Sequence, residues 1–466
     1  MTIAEHHDVI VLGGGPGGYA AALYGAAAGL DVAMVEEDRV GGTCLHRGCI
    51  PAKELLQTAE VLRTVARAKE FGVDAGMPGL DLSVSQARKQ AVVDRLTKGL
   101  EGLLKGRKVT TVKGRGRLAD GGALQIAVDG DPVTELEGDA VILATGSSPR
   151  TIPGFDFDGE LILSSDHILD LDDVPPRVAI IGGGAIGCEF ASFLADVGSE
   201  VTILEALPQV LTGVDTDCAT AVVRAFKKRG ITVRTGVTVE GHDRNGSETV
   251  VRFSGDGGPA SVAVDKVVVS VGRAARSKDI GLEDSPVAVD ERGFVEVDPY
   301  LRTTAEGIYA VGDLIATPQL AHVAFAEAMV AIKTILGERA VPLDYSKVPF
   351  GIYCHPEVGF AGLTEQQARD AGYDVVTSKH LFAGNGRAMI IGETDGLVKV
   401  VAEKDGPLLG VHIVGPWATE LVVEGYLAVN WEATPEEVAA FIHPHPTLSE
   451  LFGETLLSLT GRSLHG

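Results

Sequence analysis

DVIVLGGGPGGYAAALYGAAAGLDVAMVE, residues 8–36, is the stretch whose reading decides the fold. The apolar run 9–12 enters a glycine-rich turn, an alanine-rich stretch follows, and a second apolar run ends at Glu36. Gly13, Gly15 and Gly18 fit the G-x-G-x-x-G spacing of a βαβ dinucleotide unit. The same plan returns as RVAIIGGGAIGCEFASFLADVGSEVTILE, residues 177–205, with Gly182, Gly184 and Gly187. In each copy a Glu, Glu36 or Glu205, follows the third glycine by 18 residues. Such a turn needs glycine for positive φ and for close approach of backbone to a pyrophosphate. The helix behind it offers free N–H groups and a positive dipole end, and the Glu accepts from ribose hydroxyls. Glu205 would repel a 2′-phosphate, and Ala206-Leu207-Pro208-Gln209 brings no Arg or Lys, so the second unit is expected to prefer NAD to NADP. Two complete units make the chain α/β and imply two dinucleotide cofactors.

Just beyond the first unit lies GGTCLHRGCIPAK, residues 41–53. Cys44 and Cys49, with four residues between them, can close a small disulfide loop, and Pro51-Ala52-Lys53 reads as a helix start. Cys49 would then lie at the positive end of a helix, which favours a thiolate. A reactive dithiol beside a nucleotide site suggests electron exchange between sulfur and cofactor. A flavin paired with a nicotinamide suits that traffic. TTAEGIYAVGD, residues 303–313, ends a strand at Gly312-Asp313, where a carboxylate could hold a flavin's ribityl chain. HPHPTLSE, residues 443–450, sets His445 five residues before Glu450, an acid–base pair of the kind thiol–disulfide exchange requires.

The 466 residues carry 40 Lys+Arg against 64 Asp+Glu, a net charge of −24, which argues against nucleic acid and anionic membranes and suits a basic protein partner. MTIAEHHDVIVLGG has neither the basic nor the apolar region of a secretory signal, and no apolar run is long enough to cross a membrane, so a cytoplasmic protein is expected. Five cysteines are too few for a disulfide scaffold, and no second Cys or His pair stands at ligand spacing, so no metal is expected. Cys188, Cys218 and Cys354 read as core fillers. Helical spacing covers 53–70 and 83–105; short strands with turns at 120–122 and 129–130 fill 109–143; 231–271 is strand-rich with a turn at SGDGGP. From about 346, strands alternate with helices near 364–371, 417–430 and 447–460, an α+β pattern.

These residues resemble, essentially end to end, the flavin-dependent pyridine nucleotide–disulfide oxidoreductases. GGTCLHRGCIPAK is similar to that family's redox-active disulfide segment, HPHPTLSE to its acid–base segment in the lipoamide-specific form, and IYCHPEVGFAG and HIVGP to its interface domain. The resemblance implies two Rossmann-like domains, for FAD and NAD, plus a C-terminal α+β dimerisation domain. The boundaries expected are 1–149 and 273–345 for FAD, 150–272 for NAD and 346–466 for the interface. It implies that Cys44 meets the substrate and Cys49 the flavin, that Lys53 and Glu189 pair beside it, and that His445, oriented by Glu450, serves the other subunit of an obligate homodimer. Gly13, Gly15, Gly18, Glu36, Thr43, Lys53, Thr145, Gly146, Gly312, Asp313 and His322 would line the FAD site. Gly182, Gly184, Gly187 and Glu205 would hold NAD, and Gly272 and Arg273 complete the cofactor-binding set.

The activity implied is oxidation of dihydrolipoyl to lipoyl groups with reduction of NAD, in 2-oxo acid dehydrogenase complexes. The partners would be the lipoyl domains and subunit-binding domain of the acyltransferase. A related NAD(P)H-dependent reductase of another small disulfide is the alternative; a non-catalytic flavoprotein subunit would show degraded motifs, and these are intact. His46, Ala52, Val323 and Ala328 depart from the family's usual residues, and VGRAARS lacks a following Pro-Asn. The first of these departures is expected to shift the disulfide's potential.

Overall fold

The computed structural model describes residues 5–76, 79–119, 125–128, 134–246 and 248–465. The chain divides into two compact units: Met1–Glu54 with Ser83–Arg150 and Arg273–Tyr345, and Leu55–Leu82 with Thr151–Gly272 and Ser346–Gly466.

The first unit is built on a seven-stranded sheet in the order Thr110–Lys113, Val32–Glu36, Glu5–Leu12, Thr134–Leu143, Gln125–Val128, Gly116–Leu118, with Ile308–Ala310 also pairing Thr134–Leu143. Its central pairings are parallel, Val9 opposite Val32 and Ile10 opposite Val141. Val9 to Leu12 are buried without alternation, as a parallel strand covered on both faces requires. The turn after this strand is governed by close backbone packing. Gly13 has φ +105°, and a Cβ on Gly18 would lie 1.8 Å from the Gly13 carbonyl oxygen. Helix Pro16–Ala27 starts on its proline, which needs no N–H there, and its small buried face packs on helix Ala321–Ile335. The expected turns at 120–122 and 129–130 lie outside the described residues.

In the second unit, Thr232–Arg234, Glu200–Leu204, Arg177–Ile181, Lys266–Val269 and Ile162–Leu163 form a parallel sheet. A three-stranded antiparallel sheet, Thr238–Asn245, Glu248–Gly255 and Gly258–Val264, accounts for the strand-rich stretch read from sequence. The C-terminal part carries a five-stranded antiparallel sheet: Pro349–Ile352, Glu357–Gly362, Leu408–Gly415, Leu397–Glu403, Val375–Leu381. Helix Ala418–Asn430 covers it. Cys354, read from sequence as a core filler, lies just past the end of Pro349–Ile352 and is buried. Among the described residues, no helix is long and apolar enough to cross a membrane.

Candidate active site

The thiol pair belongs to the first unit. Cys44 rides on the short helix Gly42–Arg47, Gly48 turns the chain, and Cys49 opens the helix Cys49–Arg67, two residues ahead of the expected start. The segment is wedged against the first glycine turn: Gly41 N–H donates to Gly14 O at 2.7 Å, and a Cβ on Gly42 would sit 2.6 Å from Gly15 Cα. Sequence order thus becomes physical proximity between dithiol and dinucleotide turn. Both cysteines stand as half-buried thiols, linked by a side-chain hydrogen bond. That bond and then burial push the Cys44 thiol well above its ordinary value, with Lys53 pulling the other way. Tyr19, on the adjoining helix, is pushed up to about 12 by burial and by both cysteines. His46 Nε2 bonds the Val40 carbonyl oxygen at 2.8 Å. A carbonyl only accepts, so the neutral ring carries its proton there, and Nδ1 is buried without a hydrogen-bond partner among the described residues. Thr43 precedes Cys44 on the same short helix, and Lys53 is half-buried one turn after Cys49.

The two glycine turns are alike in detail. Glu36 Oε2 accepts from Gly14 N–H and its Oε1 from Asp38 N–H, both at 2.7 Å. Glu205 accepts from Gly183 N–H at 2.5 Å and Leu207 N–H at 2.8 Å. The helices that follow have Gly15 and Gly184 as their N-caps, with no side-chain cap and no acidic residue in the first turn. Open N–H groups and backbone too close for any Cβ are what a pyrophosphate needs, so both sites fit a dinucleotide. Ser270 Oγ, two residues before Gly272, donates to Gly182 O at 3.0 Å and ties that segment to the second turn.

Thr145, Gly146 and Asp313, expected on the flavin side, are each tied into the first unit by hydrogen bonds. Thr145 Oγ1 donates to Arg276 O at 2.7 Å, and Arg276 N–H to Gly146 O at 2.8 Å. Arg273 donates to Ser147 through Nε at 2.7 Å and Nη2 at 2.9 Å, and Ser147 Oγ donates to Asp313. Arg273 Nε lies 3.8 Å from Asp313. Asp313 follows Gly312 in a single 3₁₀ turn. His322 is exposed on the first turn of Ala321–Ile335. Ser147, Tyr19 and Glu327 were not singled out from sequence. The one available signal was Glu327, an acidic residue among the apolar positions of AHVAFAEAMV.

In the second unit, Glu189 is buried on helix Ala185–Asp196, and its carboxylate accepts from Tyr353 N–H at 2.9 Å. His445 Nδ1 lies 2.7 Å from Glu450 Oε1, and Glu450 Oε2 accepts from Thr447 N–H at 2.7 Å. Burial raises the Glu450 carboxyl, but the Thr447 and His445 hydrogen bonds outweigh it and hold it below its usual range. With Nδ1 bonded to the carboxylate, Nε2 is the nitrogen left to exchange protons. The neighbouring histidine, His443, is bound through Nε2 to Glu424 at 2.8 Å and its side chain is only 12% exposed, against 80% for His445. Cys188, Cys218 and Cys354 are buried, and burial pushes all three thiols up.

Residues 7–328 match the family described as pyridine nucleotide-disulphide oxidoreductase, and 348–456 match its dimerisation domain. The chain belongs to this family of flavin- and nicotinamide-using oxidoreductases. Its dimerisation domain supports a homodimer, and the same domain exposes Trp431, Phe441 and Ile442 at 75, 70 and 96%. Dihydrolipoyl dehydrogenases similar to it include those of Bacillus subtilis, 40% identical over 99% of this chain and 100% of the relative, and of Thermus scotoductus, 41% identical over 98% of each. Among solved structures, LpdA from Mycobacterium tuberculosis matches with a TM-score of 0.90 at 27% identity, over 98% of this chain and all of that one. The HOCl-induced flavoprotein disulfide reductase RclA from Escherichia coli matches with a TM-score of 0.85 at 26% identity, over 96% and 99%.

Proposed function

We propose that this chain is a dihydrolipoyl dehydrogenase, oxidising dihydrolipoyl groups through the Cys44–Cys49 pair and reducing NAD. The observation that carries the reading is the hydrogen-bonded cysteine pair lodged against the first dinucleotide turn. Full-length similarity to enzymes of that name supports it. Residues 1–149 and 273–345 would hold FAD, 150–272 NAD, and 346–466 would form the interface.

In the oxidised enzyme Cys44 and Cys49 share a disulfide. His445 Nε2 of one protomer takes a proton from a substrate thiol, and Glu450 stabilises the resulting imidazolium. The substrate thiolate attacks Cys44 Sγ of the other protomer, and Cys49 leaves as a thiolate. The substrate's second sulfur attacks its own mixed-disulfide sulfur and expels Cys44, which takes up that second thiol's proton; one proton is then on His445, one on Cys44, and Cys49 remains a thiolate. The products are a lipoyl disulfide and a two-electron-reduced cysteine pair. FAD, when bound, supplies two-electron transfer between that pair and NAD. Glu36 and Asp313, with Thr43, Thr145, Gly146 and the Gly13–Gly18 turn, would hold FAD, with Lys53 and Glu189 as an ion pair nearby. Glu205 and the Gly182–Gly187 turn would hold NAD, admitting ribose hydroxyls and excluding a 2′-phosphate. Docking on an acyltransferase of a 2-oxo acid dehydrogenase complex follows from the same reading, and a net charge of −24 suits a basic binding domain.

The test is NADH formation from dihydrolipoamide and NAD by FAD-loaded protein. Cys49→Ser should abolish turnover while FAD stays bound; a variant that still oxidises dihydrolipoamide would sink the assignment. The likeness to RclA favours a second reading, reduction of a different disulfide at the expense of NADH. Failure with dihydrolipoamide alongside NADH-dependent reduction of other disulfides would select it.

A further inference from the structure

Glu327 lies on the buried face of Ala321–Ile335 with none of its surface exposed. Three donors from outside the helix converge on its carboxylate. Gly312 N–H meets Oε2 at 2.6 Å, while the Thr317 and Tyr345 hydroxyls meet Oε1 at 2.7 and 3.1 Å. Gly312 has φ +72° and opens the 3₁₀ turn whose next residue is Asp313. On its other side Asp313 is held by Ser147, itself fixed by Arg273. The carboxylate taken here as the ribityl ligand is therefore gripped from two directions, and Glu327 supplies the grip on its backbone.

We propose that Glu327 is a positioning residue for the FAD site: by pinning the Gly312 N–H it fixes the turn that presents Asp313. The inference rests on reading Asp313 as an FAD ligand. Geometry carries the effect, and charge is secondary. Burial pushes the Glu327 carboxyl up to about 7, against the pull of Thr317, Gly312 and Tyr345 and with a further push from Asp313. A protonated Glu327 can still accept from Gly312 and donate to a hydroxyl oxygen, since Thr and Tyr hydroxyls work in either direction. Glutamine satisfies all three partners in the same way: its oxygen accepts from Gly312 and its amide donates to the hydroxyls. Alanine takes the shared acceptor away from the half-buried Gly312 N–H and from both hydroxyls, which is the costly case.

Apoprotein of wild type, Glu327→Gln, Glu327→Ala and the double variant Thr317→Val/Tyr345→Phe would be titrated with FAD. Affinity is read by fluorescence, the flavin's environment by its visible absorption, and folding by circular dichroism. The expected result is that Glu327→Ala weakens FAD binding by about 10-fold or more and alters the flavin spectrum, while Glu327→Gln stays within about 3-fold of wild type. The double variant, which leaves the carboxylate anchored at Gly312 alone, should lose about 3-fold or more, and it decides the matter if Glu327→Ala does not fold. Wild-type affinity in Glu327→Ala, or in the double variant where it decides, overturns the proposal. So does a Glu327→Gln protein as weak as Glu327→Ala. Failure of the wild-type protein to bind FAD would instead overturn the reading of the site itself.

Discussion

At the scale of single residues, two histidines two positions apart have opposite fates. His443 is packed into the second unit and tied to Glu424, whereas His445 leans on Glu450 and faces outward. His445→Gln is expected to lower kcat by about 10²-fold or more, the usual contribution of a general acid–base. His443→Gln should change it little, and steady-state assays with dihydrolipoamide compare the two directly. His443 should matter to stability instead. Its bond to Glu424 raises its affinity for a proton, with burial opposing. A raised histidine contributes stability below its unfolded value, and that stability is lost as pH rises through the folded value. The destabilisation by His443→Gln, measured by thermal melts, should therefore be larger near about pH 5 than near about pH 9. A pH-independent difference would refute this.

Elements show how much was legible in the sequence. Both βαβ units were, because glycine spacing there is dictated by backbone contact: Gly18 and Gly187 leave only 1.8 and 2.0 Å between a notional Cβ and a carbonyl oxygen of their own turn. The same contact yields a separable pair of effects. Gly187→Ala should raise KM for NAD about 10-fold or more while FAD content stays normal, and Gly18→Ala should lower FAD content. Loss of FAD from Gly187→Ala would show that the two turns do not serve separate cofactors. The dithiol segment was legible as chemistry but not as position, since Gly41 and Gly42 take φ of +106° and +56° to lay it on the first turn. Short helices such as Gly386–Ile391 and Pro435–Ala439 went unread, being too brief for periodicity to show. Ser147 and Glu327 were missed for another reason. Their partners, Asp313 and Gly312, lie 166 and 15 positions away, and only the folded sheet brings them together.

Over the whole molecule, the surplus of acid is partly spent inside the second unit. Lys399, in a strand that reads as apolar, is 4% exposed and binds Asp215 at 2.9 Å and Asp217 and Glu365 at 2.8 Å each. These ties join the strand Leu397–Glu403 to helix Thr216–Lys228 and to its cap, Asp215. Lys399→Met leaves buried carboxylate without its counter-charge and is expected to cost about 3 kcal/mol or more, read as a fall in the denaturation midpoint. The Asp217 carboxyl is raised by burial but carried below its usual range by Lys379 and Lys399; that of Glu365 is lowered by Lys399 and Arg369. Depressed carboxyls contribute stability above their unfolded values and lose it as pH falls through the folded ones. Acid should therefore narrow the gap between Lys399→Met and wild type.

Phe441 and Ile442 stand almost bare immediately before the segment that carries His445. If that apolar pair is covered only when two protomers meet, and His445 serves the thiols of its partner, then no isolated protomer owns a complete site. Specific activity would then be a titration curve in protein concentration: constant while dimers persist, and falling on dilution as protomers separate. The chain's catalytic competence and its self-association would be one equilibrium, and Ile442→Asp would slide that curve to higher concentration with every reacting atom still in place.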